Sequence, residues 1–479
     1  MSNIKISHKD IGWAYVGSFF KVAANIVLLP IVLKLLSNEE LGIWYVFGSI
    51  SQIVVLLDFG FAATIARNIA YAWCGVDSLQ KENVGIVTSH QKTNFEYFKL
   101  VLQTCKVIYT IIAGTALLFL LTVGLLYIKS LDTSSVYAWI IYSIGVAINM
   151  RYCYYTSFLL GVGAIAENNK AAIITKLVQI TVSIILLYAG YGVLGVSIAY
   201  LLSGVALRIS SKWYFDNYDE IKNRLNTVKA KTSWSEIKNT FNIIWHNASK
   251  DGLVTLANYL NTQANTIICS SVLGLVTTGA YGLSVQLSSI AVTIAGIPFS
   301  TALPKLQEKA VLHDMTNGLK IFAGTMIIFS ISYMILTGIV IALLPVISWL
   351  KPTLNINIYL LLAVFFFAYI NQIYHYCASL ISTFNTLPYT TAFIISSIAA
   401  VLLSFLLAKF SSLGIWALVV APIVVSASYN LWKWPMHILK IYHASFPKFI
   451  LEGYEYSKDY IRVILKKYIQ IFNISNKNE

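Results

Sequence analysis

The amino-acid sequence predicts an all-α, polytopic membrane protein with about 12 transmembrane helices, and three observations support this prediction. Of its 479 residues, 57% are apolar and 11% are charged, whereas soluble domains average about 25% charged residues. The apolar residues form long, nearly charge-free blocks such as Val107–Leu126 and Ile321–Leu344. Such blocks match a hydrocarbon core about 30 Å thick, because a helix rises about 1.5 Å per residue. The alternation at every second residue that is typical of transmembrane barrels is absent.

Hydropathy and loop signals divide the chain into twelve spans and connecting loops. The first apolar run, Ile11–Leu36, is too long for a signal-peptide core and is expected to remain as a span. The predicted spans are 11–36, 41–63, 99–127, 136–160, 168–189, 192–213, 241–273, 278–303, 318–344, 356–384, 387–409 and 413–437.

The distribution of basic residues predicts that both termini lie in the cytoplasm. Of the 34 Lys and Arg residues, only Lys129, Lys351 and Lys409 fall in the predicted outer loops. Cytoplasmic loops of membrane proteins carry an excess of Lys and Arg, so this asymmetry predicts an N-in, C-in topology. The net charge of +14 therefore follows the topology, and nucleic-acid binding is a poor explanation for it.

A weak internal repeat predicts two six-helix bundles. Gly42 and Ser51 recur as Gly279 and Ser288, an offset of 237 residues. Six-span halves in the same orientation are typical of transporters built from parallel repeats, which work by alternating access. The predicted organisation is an N-terminal bundle at 1–213, a cytoplasmic linker at 214–240, a C-terminal bundle at 241–437 and a basic cytoplasmic tail at 438–479.

The tail carries an amphipathic helical pattern. From Tyr460 onward, apolar residues such as Ile461, Leu465 and Phe472 recur at helical spacing, and basic residues occupy other positions. A basic amphipathic helix lying on the inner leaflet and a helix packed against the bundle both fit this pattern.

Five cations lie well inside the predicted spans, where ionisable residues are costly and usually face a cavity or a partner. Counted from the cytoplasmic ends, they lie at a common depth of about 10–15 Å. They are Lys21, Lys106, Arg151, Lys176 and Lys250. One positively charged chamber that binds an anion such as a diphosphate would explain them. Snorkelling to the cytoplasmic surface is the alternative, above all for Lys106 and Lys176. Lys250 could instead pair with Asp251 or Asp58.

Polar stripes at three-and-four spacing predict a wet interior. In addition to Lys250 and Asp251, the stripe residues are Asn25 in span 1; Asn247, Asn258, Asn261 and Asn265 in span 7; and Asn371, Gln372 and His375 in span 10. Hydrogen bonds between helices would produce similar stripes, so both interpretations stay open.

The sequence contains no signature of ATP hydrolysis or of a metal site. It has no glycine-rich loop that ends in Gly-Lys-Ser or Gly-Lys-Thr, and no His-Glu-x-x-His or paired-cysteine motif. The five cysteines are scattered and predict neither a disulfide framework nor metal ligation. We expect no cofactor, with H⁺ or Na⁺ as the candidate coupling ion.

Two segments around span 2 resemble a known family. They are Leu41-Gly-Ile-Trp-Tyr-Val-Phe-Gly-Ser-Ile and Leu57-Asp-Phe-Gly-Phe-Ala-Ala-Thr-Ile-Ala-Arg-Asn68. These resemble the polysaccharide flippases of the Wzx type, in the superfamily of multidrug, oligosaccharidyl-lipid and polysaccharide exporters. Ala63 stands where this family often has proline. The resemblance implies functional importance for Asp58 and Arg67. It also implies flipping of an undecaprenyl-diphosphate-linked oligosaccharide for O-antigen or capsule assembly.

The expected protein is therefore a non-enzymatic flippase in a bacterial cytoplasmic membrane. Its expected partners are the anionic lipid-linked oligosaccharide, membrane lipids and polysaccharide polymerase or assembly proteins. One alternative is a drug or metabolite exporter of the same superfamily. Another is a membrane-bound glycan polymerase or ligase, which the short predicted outer loops disfavour.

Overall fold

A computed structural model describes most of the chain. It covers residues 27–73, 93–228, 233–311, 314–354, 356–384 and 388–475, together with Trp13, Val16, Gly17 and Phe20. Some residues inside these helices are described by their backbone alone.

The regular structure of the described residues is entirely helical, as predicted. The helices are α1 (27–35), α2 (Asn38–Leu56), α3 (Phe61–Trp73), α4 (Phe95–Phe119), α5 (Leu125–Leu131), α6 (Val136–Tyr152), α7 (Tyr154–Gly161), α8 (Ile165–Tyr188), α9 (Gly192–Asn217), α10 (Ile221–Thr227), α11 (Trp234–Thr262), α12 (Ala264–Val272), α13 (Leu275–Ala295), α14 (Ile297–Val311), α15 (Met315–Leu350), α16 (Ile358–Ser382), α17 (Thr390–Phe410), α18 (Ala417–Ser428), α19 (Asn430–Ile441) and α20 (Phe446–Ser475). A π-helical segment, Leu120–Gly124, joins α4 to α5.

Eight helical stretches among the described residues are long and apolar enough to cross a membrane. They are Phe95–Leu131, Ile165–Tyr188, Gly192–Thr227, Leu275–Ala295, Met315–Leu350, Ile358–Ser382, Thr390–Phe410 and Gly414–Ile441. Each overlaps one of the twelve predicted spans. The count of twelve and the N-in, C-in topology stay predictions.

The other four predicted spans are interrupted or largely undescribed. Most of span 11–36 lies outside the described residues. Span 41–63 is two helices, because Phe59 (φ 42°) and Gly60 (φ 74°) adopt left-handed conformations that cannot continue a right-handed helix. Span 136–160 is divided at Cys153, and span 241–273 is divided at Gln263.

The chain forms two compact units. One extends through Gly279 and also includes Leu350–Leu354, and the other contains Ala280–Trp349 and the chain from Asn355 onward. Helices α11 and α12 therefore pack with the first unit, where α11 contacts α4, α3 and α2. The predicted division into bundles at 1–213 and 241–437 stays a prediction.

Aromatic packing holds the first unit together near one end of α4. Phe98, Phe158 and Phe215 are almost completely buried and come from α4, α7 and α9. The Phe98 and Phe215 rings stack with centroids 6.3 Å apart, and Phe158 meets Phe98 edge to face at 5.4 Å. Such aromatic pairs stabilise a core beyond the area that they bury.

The segment Leu350–Leu354 is anchored to the start of α2 in the first unit. The Asn38 side-chain amide donates to the Thr353 carbonyl (2.9 Å), and the Thr353 hydroxyl donates back to Asn38 Oδ1 (3.1 Å). Lys351 is 8% exposed, and its ammonium donates to the carbonyl oxygen of Leu36. These contacts tie a predicted outer loop to a helix more than 300 residues earlier in the chain.

In the second unit, α20 packs against α15 through small residues. An added Cβ at Gly453 would lie 2.9 Å from the carbonyl oxygen of Ala323. The Ser457 hydroxyl donates to the Gly324 carbonyl at 3.3 Å and to the Gly453 carbonyl at 2.7 Å. The first part of the tail helix is therefore packed against the bundle. The side chains of the amphipathic stretch, such as Ile461 and Leu465, lie outside the described residues.

The repeat-related glycines of α2 and α13 lie together in the first unit. A Cβ at Gly42 would overlap the carbonyl oxygen of Leu275, and a Cβ at Gly279 would lie 3.1 Å from the carbonyl oxygen of Asn38. Small residues let helices approach closely in a membrane protein. The close approach of α2 to the start of α13 therefore requires glycine at position 42.

We expect Gly42→Ala to destabilise the protein by about 1–3 kcal/mol, because the methyl group must displace a backbone carbonyl. The matched control is Gly48→Ala in the same helix, where a Cβ has nothing within 4 Å. This control should be neutral or stabilising, since alanine favours a helix by up to about 1 kcal/mol over glycine. Thermal unfolding of the purified variants in detergent measures both effects, and equal melting temperatures would contradict the packing described.

Candidate functional site

Several predicted site residues cannot be placed by their side chains. Lys21 and Asn25 lie outside the described residues. For another group, only the helical backbone is described: Arg67 in α3, and Asn247, Lys250, Asp251, Asn258 and Asn261 in α11. Their roles in a cavity or in ion coupling stay predictions.

Two of the predicted cations come together in the first unit with a third that sequence reasoning did not single out. Lys106 of α4 lies within electrostatic reach of Arg151, Lys212 and the carboxylate of Asp216. Arg151 is in the last turn of α6, and Lys212 and Asp216 are one turn apart on α9. Three cations therefore share the neighbourhood of one acid.

Arg151 is the best defined member of this cluster. Its guanidinium carbon lies 5.3 Å from the centre of the Tyr152 ring and 5.8 Å from that of Tyr154. Its Nη1 atom is buried and has no hydrogen-bond partner among the residues that the structure describes. A buried donor without a partner is costly, and an oxygen of an anionic ligand would satisfy it.

Arg208 adds a fourth positive charge beside one of these tyrosines, Tyr152. Its guanidinium carbon lies 4.6 Å from the centre of the Tyr152 ring, the ring that Arg151 also faces. Arg208 and Lys212 are four residues apart on α9 and share one face of that helix. This spacing is visible in the sequence, but both residues lie close to the predicted cytoplasmic end of span 6, at a shallower depth than the five predicted cations. We define Lys106, Arg151, Arg208 and Lys212 as the cation cluster.

A chain of aromatic contacts joins the cation cluster to Asp58. The Tyr109 hydroxyl donates to Asp58 Oδ1 at 2.6 Å, and the Tyr109 and Tyr154 ring centroids are 6.0 Å apart. Tyr154 in turn lies beside Arg151. The motif aspartate therefore has a contiguous physical connection to the buried guanidinium.

Asp58 also holds the turn between α2 and α3. Its Oδ2 accepts a hydrogen bond from the backbone N–H of Ala62 at 3.3 Å, and its carbonyl accepts one from the Phe61 N–H at 2.7 Å. The carboxylate thus satisfies an amide in the first turn of α3, where the helix dipole favours negative charge.

Lys176 has a hydrogen-bond partner on its own helix. Its ammonium donates to Gln179 Oε1 at 3.0 Å, three residues further along α8. This contact satisfies one of its donors without a ligand. A role for Lys176 in the anion-binding chamber stays a prediction.

The polar residues predicted to line a cavity in span 10 lie on α16 in the second unit. Asn371 is buried and accepts a hydrogen bond from the Tyr374 hydroxyl. The His375 ring lies 5.0 Å from that of Tyr374 and 5.2 Å from that of Phe393, and its Nε2 has no described hydrogen-bond partner. Gln372 is half-buried beside them. Asn265, in the first unit, is buried at the start of α12.

No group of three or more His, Cys, Asp or Glu side chains is placed to hold a metal ion in the described part of the chain. The absence of a cofactor stays an expectation.

These helices define a membrane protein with the fold of transporters in the MOP superfamily. A solved structure of a multidrug resistance MATE family transporter of that superfamily, in an inward-facing conformation, matches with a TM-score of 0.67 and 15% identity over 90% of this chain and 96% of that chain. An outward-facing conformation of a multidrug resistance MATE family transporter matches with a TM-score of 0.57 and 13% identity, over 91% and 97% of the two chains.

A third solved structure shares this fold. It is a MOP superfamily transporter from Pyrococcus furiosus, whose reverse pocket polarity suggests a different function for that protein (TM-score 0.50, 12% identity, 91% and 96% of the two chains). No protein-family description and no curated protein matches this chain. At such low identities the likeness concerns the fold, and the polysaccharide branch suggested by the motif stays a prediction.

We expect Asp58→Asn and Tyr109→Phe to be energetically coupled, because the first change replaces the charged acceptor of one hydrogen bond by a weaker neutral one and the second removes its donor. A double-mutant cycle on thermal unfolding should give an interaction energy of about 1 kcal/mol or more. Tyr127→Phe is the matched control, since its hydroxyl contacts the Ile267 carbonyl and the Ser270 hydroxyl and shares no described partner with Asp58. Its effect should add to that of Asp58→Asn within about 0.5 kcal/mol. Additive effects for Tyr109→Phe would contradict the connection.

Proposed function

We propose that this protein is a flippase for an anionic lipid-linked oligosaccharide. It would move an undecaprenyl-diphosphate-linked repeat unit of O-antigen or capsule from the inner to the outer leaflet of a bacterial cytoplasmic membrane by alternating access. The observation that carries the proposal is the cation cluster. Four positive charges come from α4, α6 and α9 on a transporter fold: Lys106 lies within electrostatic reach of Arg151 and Lys212, and Arg151 and Arg208 both face the Tyr152 ring.

The excess of positive charge favours an anionic ligand. Arg151 is half-buried, and Lys106, Arg208 and Lys212 are exposed. Cations brought together in this way repel one another, and an anion among them relieves this repulsion. Arg151 offers a planar fork of donors that matches phosphate oxygens, and its unpartnered Nη1 is a donor available for this bond. Lys106 and Lys212 would add point charges to a diphosphate. The neighbouring tyrosines Tyr152 and Tyr154 would present aromatic faces to the first sugar ring.

Release of the substrate requires that its binding be coupled to a second event. The connection from Arg151 through Tyr154 and Tyr109 ends at Asp58, the aspartate of the motif. Under this proposal Asp58 or Asp251 binds the coupling proton or sodium ion. A change at Asp58 would then alter the packing of the tyrosine that faces the guanidinium. The lipid tail would remain in the bilayer while the glycan passes through the polar interior.

A drug or metabolite exporter is the second candidate, because two structures with this fold are multidrug resistance transporters. Many such drugs are themselves cations, and four gathered cations would repel them. A glycan polymerase or ligase is a third candidate, and detection of chain joining by the purified protein would support it.

Deletion of the gene separates flipping from drug export. We expect loss of the surface polymer and accumulation of lipid-linked repeat units on the cytoplasmic side, because assembly would stop at translocation. Surface polysaccharide and the lipid-linked intermediate are measured together in the native host. Unchanged polymer with increased sensitivity to cationic drugs would favour the exporter and reject the anionic substrate.

Within the cation cluster, Arg151→Ala should lower the rate of substrate translocation at least tenfold. The variant removes charge-assisted hydrogen bonds, which contribute about 1.5–3 kcal/mol each. Arg224→Ala is the matched control. Arg224 is an exposed arginine of the first unit that pairs with Asp219 at 3.2 Å, and its loss should leave translocation unchanged. The assay measures surface glycan in complemented cells and transfer of a labelled lipid-linked saccharide in vesicles, at equal membrane insertion.

Lys21→Ala tests the wider chamber that the sequence predicts. It should abolish surface glycan as Arg151→Ala does. Normal glycan display in both variants would rule out the cation chamber.

A further inference from the structure

A groove in the first unit lies on the side of α4 away from the cation cluster. Its wall is formed by the turn between α2 and α3, the middle of α4 and the first three turns of α11, and it encloses about 350 Å³. From α4 it is lined by Val107, Ile108, Ile111, Ile112 and Thr115. These residues span about 12 Å of helix at 1.5 Å per residue.

The groove is lined mainly by aliphatic and aromatic side chains. Among its lining residues, Lys238 is the only charged one. Helix α11 contributes a stripe that repeats every three or four residues, namely Trp234, Ile237, Lys238, Phe241 and Trp245. Ile111 is 59% exposed and Trp234 is 67% exposed, so the groove opens on the surface of the unit.

The cation at the groove has no carboxylate partner among the described ion pairs. Lys238 is exposed in the first turns of α11, next to Trp234, on the predicted cytoplasmic side. Glu236 in the same turn is already engaged, because it accepts from the backbone N–H of Ser233 at 2.8 Å. Tryptophan and lysine together are typical of the membrane–water interface, where an apolar stem lies along hydrocarbon and the ammonium reaches the headgroups.

The groove and the cation cluster face opposite sides of α4. At about 100° per residue, the five groove residues of α4 centre roughly 170° from Lys106. The cation cluster therefore does not supply a headgroup contact for a molecule in this groove. Lys238 is the cation that an occupant of the groove would meet.

We propose that the groove binds one anionic membrane phospholipid, with an acyl chain along α4 and α11 and its phosphate at Lys238. The apolar lining matches the chain, and the unpaired ammonium at the interface matches the phosphate. This inference does not rest on the proposed function, because the groove and the cation cluster share no residue.

The acyl chain of the bound lipid would contact the turn between α2 and α3, which carries Asp58. Phe59 and Phe61 line the groove on either side of Gly60. Their ring centroids lie 5.5 and 5.8 Å from that of Trp245. An acyl chain in the groove would pack against both phenylalanines and stabilise the contact of the left-handed turn with α11.

Native mass spectrometry of the delipidated full-length protein, titrated with phosphatidylglycerol or phosphatidylcholine, tests this site. We expect one phosphatidylglycerol to be retained with at least fivefold preference. Lys238→Gln should weaken its binding about fivefold, to the level of phosphatidylcholine, as expected for one basic residue near a headgroup. Lys222→Gln, at another exposed lysine of the first unit, should leave the preference unchanged.

A second variant tests the part of the groove that would bind the acyl chain. Ile111→Trp fills the groove and should reduce retention of both lipids, whereas Leu118→Trp, at an exposed position of α4 outside the groove, should not. Melting temperatures of all variants report on folding independently of lipid. Retention that is unaffected by both Lys238→Gln and Ile111→Trp would overturn the proposal. It would also be overturned if undecaprenyl phosphate displaced phosphatidylglycerol from the groove, because the site would then belong to a substrate tail.

Discussion

In an apolar bilayer, backbone amides and carbonyls that leave a helix must find partners within the protein. The first unit interrupts its helices at Asp58–Gly60, Cys153 and Gln263, and candidate site residues lie at two of these interruptions. Asp58 bonds to the amide of Ala62 in the first turn of α3 and accepts from Tyr109. Arg151 lies two residues before Cys153, in the last turn of α6. Because the interruptions need polar partners, they are also the places where a charged side chain can be accommodated at membrane depth.

The apolar helices could be predicted from the sequence more fully than the interruptions. Lipid contact requires long apolar blocks, so α8, α9, α15 and α17 are visible in hydropathy alone. The break in span 2 depends on the left-handed conformation of Phe59, which hydropathy does not report. The assignment of α11 to the first unit depends on its contacts with α3 and α4, which are tertiary and leave no local signal.

The candidate site could be predicted only as far as a common depth in the membrane brings side chains of different helices close together. Counting from the cytoplasmic end placed Lys106 and Arg151 at one level, and the structure places them within electrostatic reach. The same counting misses Arg208 and Lys212, because both lie near the cytoplasmic end of span 6, at a shallower depth than the five predicted cations. Tyr109 has no distinguishing signal in the sequence, since its place in the candidate site comes only from its hydrogen bond to Asp58. Helix α4 thus presents two different faces. Its charged face suits a phosphate group, and its apolar face suits an acyl chain.

The anchoring of Leu350–Leu354 affects how the protein could be divided into fragments. Its flanking helices belong to the second unit, yet Lys351 and Thr353 bond to residues of the first. A polypeptide that ends at Gly279 would lack these five residues, and the start of α2 would lose hydrogen bonds that it cannot replace from its own sequence. The two units are therefore interwoven along the chain. If the gene were split at this boundary, the first fragment would leave the Leu36 carbonyl and the Asn38 side chain without Lys351 and Thr353. Co-expression with the remaining fragment would supply these partners again.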